Sequence, residues 1–334
     1  MNWDVVAVAA GGGGLPIRPL TVEGSYTTPA YLLADASGGL HTKGVGQGRG
    51  DLGLAIADVR EILGYREIVV AGATWPVDAV YRARLFNPLG EIAAYVGRPD
   101  LVALPYPDGW PSYRVDQLGA LVEAQGVLVE MIPESIALAG YVRAGGLLEP
   151  GCTGVTVVYC DGRRVLVVGV HLDDYRPTES IGVPFPPAAT TVTEVADRLV
   201  YEVSGAARAI QADTSRVLLV GNACFDTVLR NAFRNHLGPR LRIVEQPLHA
   251  VALGAAGVIV AELEAGLRYA TPGRPADNRA GDERVPTAWP RDDPMAPVAP
   301  WPTDPGMPVF GGSRRLLAPE QPPWPNSAAA GLVS

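Results

Sequence analysis

The sequence predicts an α/β fold, and three observations carry that prediction. Residues 216–262, RVLLVGNACFDTVLRNAFRNHLGPRLRIVEQPLHAVALGAAGVIVAE, read as strand, tight turn, helix, strand, turn and helix. Short β-branched apolar runs alternate with segments of helical period along most of the chain. The composition is 48% hydrophobic, with a mean hydropathy of +0.14, as a chain with a large core requires. The 334 residues suffice for two lobes.

Within the 216–262 run, Val217–Val220 is a buried strand that Gly221-Asn222 breaks. Leu229, Phe233 and Leu237 recur at helical spacing, and Gly238-Pro239 stops that helix. Leu241–Val244 is a second strand. From His249 to Ala261 the residues are small and apolar, which suits a helix packed close to a sheet.

Asp4–Ala10 alternates as a strand, and Gly11–Gly14 follows it. A Walker-type phosphate loop ends in Gly-Lys-Ser/Thr and opens a helix; here Pro16 and Pro19 follow, so the glycine run reads as a hairpin turn. Residues 28–33 and 36–40 read as strand, turn, strand. Residues 50–63 place Leu52, Ile56, Val59 and Leu63 on one helical face. Ile68–Ala73 is a strand and Pro76–Phe86 a helix. Val102–Leu104, Val115–Gln125 and Leu128–Ile132 then read as strand, helix and strand, with a helix opening at Pro133-Glu134. Val155–Tyr159 and Arg163–Val170 are strands joined by the hairpin signal Asp161-Gly162. Val192–Ala212 is a helix. Nearly half of the 31 prolines fall in residues 271–334, which carry no periodicity. The folded domain is therefore expected over 1–266, with a disordered, proline-rich tail over 267–334.

The formal net charge of −8 argues against a surface that tracks nucleic-acid phosphates. Three cysteines make no disulfide framework. The four histidines show no metal spacing, so no metal site of protein ligands is expected. No signal peptide or apolar run of transmembrane length is visible, so a cytoplasmic location without membrane contact is expected. Lys43 is the one lysine, so lysine chemistry is available only there.

The order of strand, Gly221-Asn222 turn, helix, strand and Ala250–Ala256 (Ala-Val-Ala-Leu-Gly-Ala-Ala) resembles the adenosine-motif end of the nucleotide-binding domain in seventy-kilodalton heat-shock (DnaK-type) chaperones. Thr27-Thr28-Pro29-Ala30 resembles that family's Thr-Thr-Pro-Ser. Pro133-Glu134 resembles its Glu-Pro-x-Ala-Ala-Ala, and Gly151-Cys152-Thr153-Gly154 stands in register with its second phosphate loop. The resemblance covers roughly residues 4–264. It implies an actin-like, ribonuclease H-like fold in two lobes, trimmed in the segment that clamps adenine. It further implies nucleotide contacts at Gly151, Thr153, Gly154, Gly221, Asn222 and Gly254, and a catalytic role for Glu134 beside metal and water. Glu134 also reads as a first-turn carboxylate favoured by the helix dipole.

Several family groups are changed. Asn222 replaces a glycine, the loop aspartates are missing, and no first phosphate loop precedes the Thr27-Thr28-Pro29 register. The resemblance therefore implies a non-hydrolysing scaffold or regulator that takes ATP or ADP with Mg²⁺ weakly. An active chaperone ATPase would require a start codon upstream of Met1. The tail reads either as a solvated end or as a docking segment for a proline-recognising protein partner, with Trp289, Trp301 and Trp324 as anchors.

Overall fold

The computed structural model describes residues 5–42, 49–148, 151–173 and 176–269. Val8–Gly12 (β1) and Leu15–Leu20 (β2) form an antiparallel hairpin with Gly12 opposite Leu15. Only Gly13 and Gly14 remain for the turn, at φ of 60° and 91°. Two successive left-handed residues are what a tight two-residue hairpin needs, and glycine supplies them without a Cβ clash.

Leu32–Ala34 (β3), Leu40–His41 (β4) and Gly53–Ile56 (β5) form a three-stranded antiparallel sheet in the order β4-β3-β5. The helix expected over 50–63 is not formed. Its first half pairs with β3, Leu33 opposite Leu54, and only Val59–Ile62 turns, as a short 3₁₀ segment. Asp58 separates the two by capping that turn, accepting from the Arg60 amide at 2.8 Å. A capping carboxylate and two nearby glycines outweigh an apolar period.

Glu67–Val70 (β6) and Ala73–Pro76 (β7) make a second hairpin, with the turn at Ala71-Gly72. Val77–Val96 (α1) runs ten residues beyond the expected end, because Leu85, Leu89 and Ile92 continue the apolar stripe into neighbouring cores. Val102–Tyr106 (β8), Ser112–Glu123 (α2) and Val129–Pro133 (β9) form a β-α-β unit whose strands are parallel. Glu134–Ala144 (α3) begins directly after β9.

The second half is a five-stranded sheet. Gly154–Cys160 (β10), Arg164–His171 (β11) and Glu179–Pro184 (β12) form an antiparallel meander. Thr193–Ala209 (α4) crosses to Val217–Gly221 (β13), and Thr227–Leu237 (α5) leads to Leu241–Ile243 (β14). The order is β12-β11-β10-β13-β14, with β10, β13 and β14 parallel. Ala250–Tyr269 (α6) closes the described chain.

Side chains alternate across this sheet. Val158, Cys160, Val165, Val167 and Leu219 pack under α4 and α5. Val155, Val157, Leu166, Val168 and Leu218 face α3 and α6. Burial on both faces explains why β10, β11 and β13 read as near-continuous apolar runs. Beyond this sheet α6 also touches β1, β2 and β8, so one helix joins the halves of the chain.

The molecule is thus a mixed α/β structure. Among the described residues no helix is long and apolar enough to cross a membrane. Of the tail expected over 267–334, residues 267–269 complete α6, and the rest lies outside the described residues. Lys43 and Glu149-Pro150 lie outside them too.

Candidate functional site

Parallel strands place ligands beyond their carboxyl ends, and the carboxyl ends of β10 and β13 lie side by side, Cys160 opposite Gly221. After Gly221 the chain turns into Asn222, whose Nδ2 donates to the carbonyl of Asp161 at 3.0 Å. Asp161 in turn shapes the β10–β11 turn: its Oδ1 accepts from the Arg163 and Arg164 amides at 2.8 and 2.9 Å.

This turn directs two arginines towards the first half of the chain. Arg163 Nη1 lies 2.5 Å from Glu61 and 3.5 Å from Asp58. Arg164 Nη2 closes on Glu134 Oε2, and its Nε sits 3.7 Å from Asp161. From the other side Arg60 holds Asp58 at 2.6 Å and approaches Glu134 at 3.9 Å. Three guanidiniums and four carboxylates, from three separate segments, thus interlock where the halves meet.

The carboxylates of Asp58, Glu134 and Asp161 are nearly out of solvent. Burial opposes the charge of Asp58, yet Arg60 and Arg163 outweigh it and hold its carboxyl below the ordinary range. At Glu134 burial wins: it pushes the carboxyl up to about 7 against the pull of Arg164 and Arg60.

Beside the network opens a cleft of ≈ 840 Å³. Gly11–Gly13, Asp58, Arg60, Asp161, Gly221 and Asn222 line its polar end. Aliphatic residues of α1, β8 and α6 line the remainder.

The residues singled out from the sequence separate in this structure. Gly221 and Asn222 stand together on the cleft, and Glu134 anchors the adjoining ion pairs. The missing Cβ of Gly221 makes room for protein rather than for a ligand. At φ +84° a Cβ there would lie 2.3 Å from the Cys160 carbonyl oxygen. Gly254 also serves packing: its Cβ position lies 1.8 Å from the Ala137 carbonyl oxygen on α3.

Gly151, Thr153 and Gly154 lie at the amino end of β10, roughly 20 Å from Gly221 at ~3.3 Å per residue. Their donors are already used. Asp213 Oδ2 accepts from the Thr153 amide at 3.1 Å, the Thr153 hydroxyl at 2.7 Å and the Gly154 amide at 3.1 Å. Burial works against ionisation of Asp213, but hydrogen bonds from Ser215 and Thr153 outweigh it and hold the carboxyl at about 2. Its stabilising effect is present above about 4, the ordinary carboxylate range, and is lost as pH falls through about 2. Asp213→Ala is expected to lower stability at pH 7 by about 1–2 kcal/mol, as orphaned donors do, in denaturant titrations. An unchanged midpoint would mean that water replaces the carboxylate at no cost.

Asp58, Arg60, Asp161, Arg163 and Arg164 carry the polar corner of the site, and sequence reasoning passed over them. Asp161-Gly162 was legible as a turn; its signal as a site was its place at the carboxyl end of the strand that β13 joins in parallel. Asp58 and Arg60 were masked by the helical period around them.

These residues do not fit a Mg²⁺ ion. That cation needs oxygen ligands at ~2.0–2.1 Å in near-octahedral array, whereas Asp58, Glu134 and Asp161 are engaged by arginines and amides. Among the described residues no group of three or more His, Cys, Asp or Glu side chains is arranged to hold a metal.

No family model matches the chain, and no curated protein matches its sequence.

Proposed function

We propose that the chain is a degenerate heat-shock-protein-like nucleotide-binding domain, of the trimmed actin-like fold in two lobes, that works as a non-hydrolysing scaffold or regulator. One observation carries this reading: Glu134, which resembles the family's metal- and water-holding glutamate, is engaged by Arg164 and Arg60. Phosphoryl transfer depends on cations and donors held ready around the γ-phosphate. Here the guanidiniums that would meet a phosphate are taken by Asp58, Glu61, Glu134 and Asp161. A triphosphate entering this corner has to displace those carboxylates, which strands them in a low-dielectric site.

The order of elements supports the fold assignment. A glycine hairpin, β1–β2, and the Asp161-Gly162 turn both approach the cleft where Gly221-Asn222 lies. In the scaffold reading, the proline-rich residues 271–334 supply contact with a protein partner.

Calorimetry with Mg-ATP tests the proposal. The expected result is a dissociation constant weaker than about 10 μM, a free energy no better than roughly −6.8 kcal/mol, and no phosphate release under single-turnover conditions. Tight binding with release of phosphate would restore the chaperone ATPase reading.

A further inference from the structure

The apolar part of the cleft holds a charge that nothing around it answers. Arg84 lies on α1 with 4% of its surface exposed, yet it lines the cleft. Its Nη2 donates to the Pro29 carbonyl at 2.9 Å. Its Nη1 has no hydrogen-bond partner, and among the described residues the guanidinium makes no ion pair. Glu23 is near enough to favour the charge, but its Oε1 accepts from Asn87 Nδ2 at 2.9 Å. Burial draws the guanidinium down to about 10, so it stays cationic at neutral pH.

The surroundings are aliphatic. Leu85, Ile92, Leu101, Val251, Ile259 and Val260 face the same space. Beyond them Arg98, Asp100 and Glu264 supply charges of both signs to the lining. A cleft of ≈ 840 Å³ falls in the range of small-molecule sites, roughly 300–1,000 Å³, where apolar walls and a few placed polar groups are the rule.

A buried cation with a spare N–H is costly unless an anion meets it. One guanidinium edge suits one carboxylate, and the walls suit an alkyl chain. A nucleoside triphosphate, with several charges, finds only this single donor edge in an otherwise oily wall. We propose that the cleft binds an amphipathic monocarboxylate of the fatty-acid class, its carboxylate on Nη1 of Arg84 and its chain between α1 and α6. This site goes beyond the scaffold reading and does not depend on it.

The test uses the full chain and two probes of equal length, decanoate and decan-1-ol, followed by calorimetry below their aggregation limits. Decanoate is expected to bind one to one, at least tenfold more tightly than the alcohol. Arg84→Met should erase that preference, and Arg84→Lys, which keeps the charge, should retain it. Circular dichroism checks that each variant is folded. If Arg84→Met does not fold, the acid-to-alcohol ratio on the wild-type chain decides by itself. Absence of decanoate binding, equal affinity for acid and alcohol, or a folded Arg84→Met that still prefers the acid would each overturn the proposal. Mg-ATP calorimetry reads the scaffold proposal separately, because either site can fail while the other stands.

Discussion

Gly254→Val is expected to abolish cooperative folding. Helices α3 and α6 cross with Gly140 and Gly254 facing each other, so their backbones touch. A Cβ on Gly254 would lie 1.8 Å from the Ala137 carbonyl oxygen, 2.7 Å from its carbonyl carbon and 2.8 Å from the Tyr141 amide nitrogen. A Cβ on Gly140 would lie 2.5 Å from Val258 Cγ2 and 2.8 Å from the Gly254 carbonyl oxygen. Every atom that Gly254 would strike is backbone, so no rotamer change relieves the overlap. The helices have to separate, and that opens the core holding Ala137, Ala255, Ile132 and Ile259.

Even Gly254→Ala is expected to cost more than about 3 kcal/mol, the upper range of overpacking, in denaturant unfolding. Gly257→Ala, three residues on, is the control. Its Cβ would meet Ala144 Cβ at 3.6 Å, an ordinary contact, so the gain in helix propensity should leave stability unchanged or raised by about 0.5–1 kcal/mol. If Gly254→Ala unfolds at the same denaturant concentration as wild type, the close crossing of α3 and α6 is wrong.

The second large effect is a dependence on pH. Glu134 has its carboxyl raised from 4.5 to about 7, with burial as the main cause. The folded chain therefore keeps a proton there that the unfolded chain has released. The stability tied to that proton is fully present below 4.5 and is lost as pH rises through about 7. Glu134→Gln imitates the protonated form and cannot ionise. Between pH 5 and 8 the variant should gain about 2–3 kcal/mol on wild type, at ~1.4 kcal/mol per tenfold change in proton affinity. Arg164 and Arg60 stay partly solvated in the variant, at side-chain exposures of 25% and 27%, so losing their partner leaves neither stranded. Paired thermal scans across that range read the difference. A difference that is flat, or that turns against the variant at pH 8, would show that the ion pair with Arg164 outweighs burial.

The sequence by itself determined the elements whose physics is local or buried on all sides. The runs in β10, β11 and β13 are apolar on both faces and read as interior strands without further information. Gly11–Gly14 and Asp161-Gly162 announce hairpins because few other residues tolerate such turns. The amphipathic period of α5, ended by Gly238-Pro239, marks a helix that the structure contains.

Where two local signals compete, neighbours settle the matter. Residues 50–63 carry a helical period, but β3 offers hydrogen bonds to Leu54, and Asp58 caps a different turn. The choice between them rests on a strand about twenty residues away, which no window of sequence contains.

The candidate site was legible only at Gly221-Asn222 and Glu134, residues that sit at element boundaries. Which glycine faces a ligand and which faces a helix depends on what is packed across from it. Gly254 opposes Ala137, and the Thr153 and Gly154 amides oppose Asp213, about sixty residues away in the chain. The interlocked arginines and carboxylates come from 58–61, 134 and 161–164, and the solitary Arg84 is exceptional only because no carboxylate arrives beside it. Charge pairing and its absence are properties of distance and burial, so the tertiary structure alone decides them.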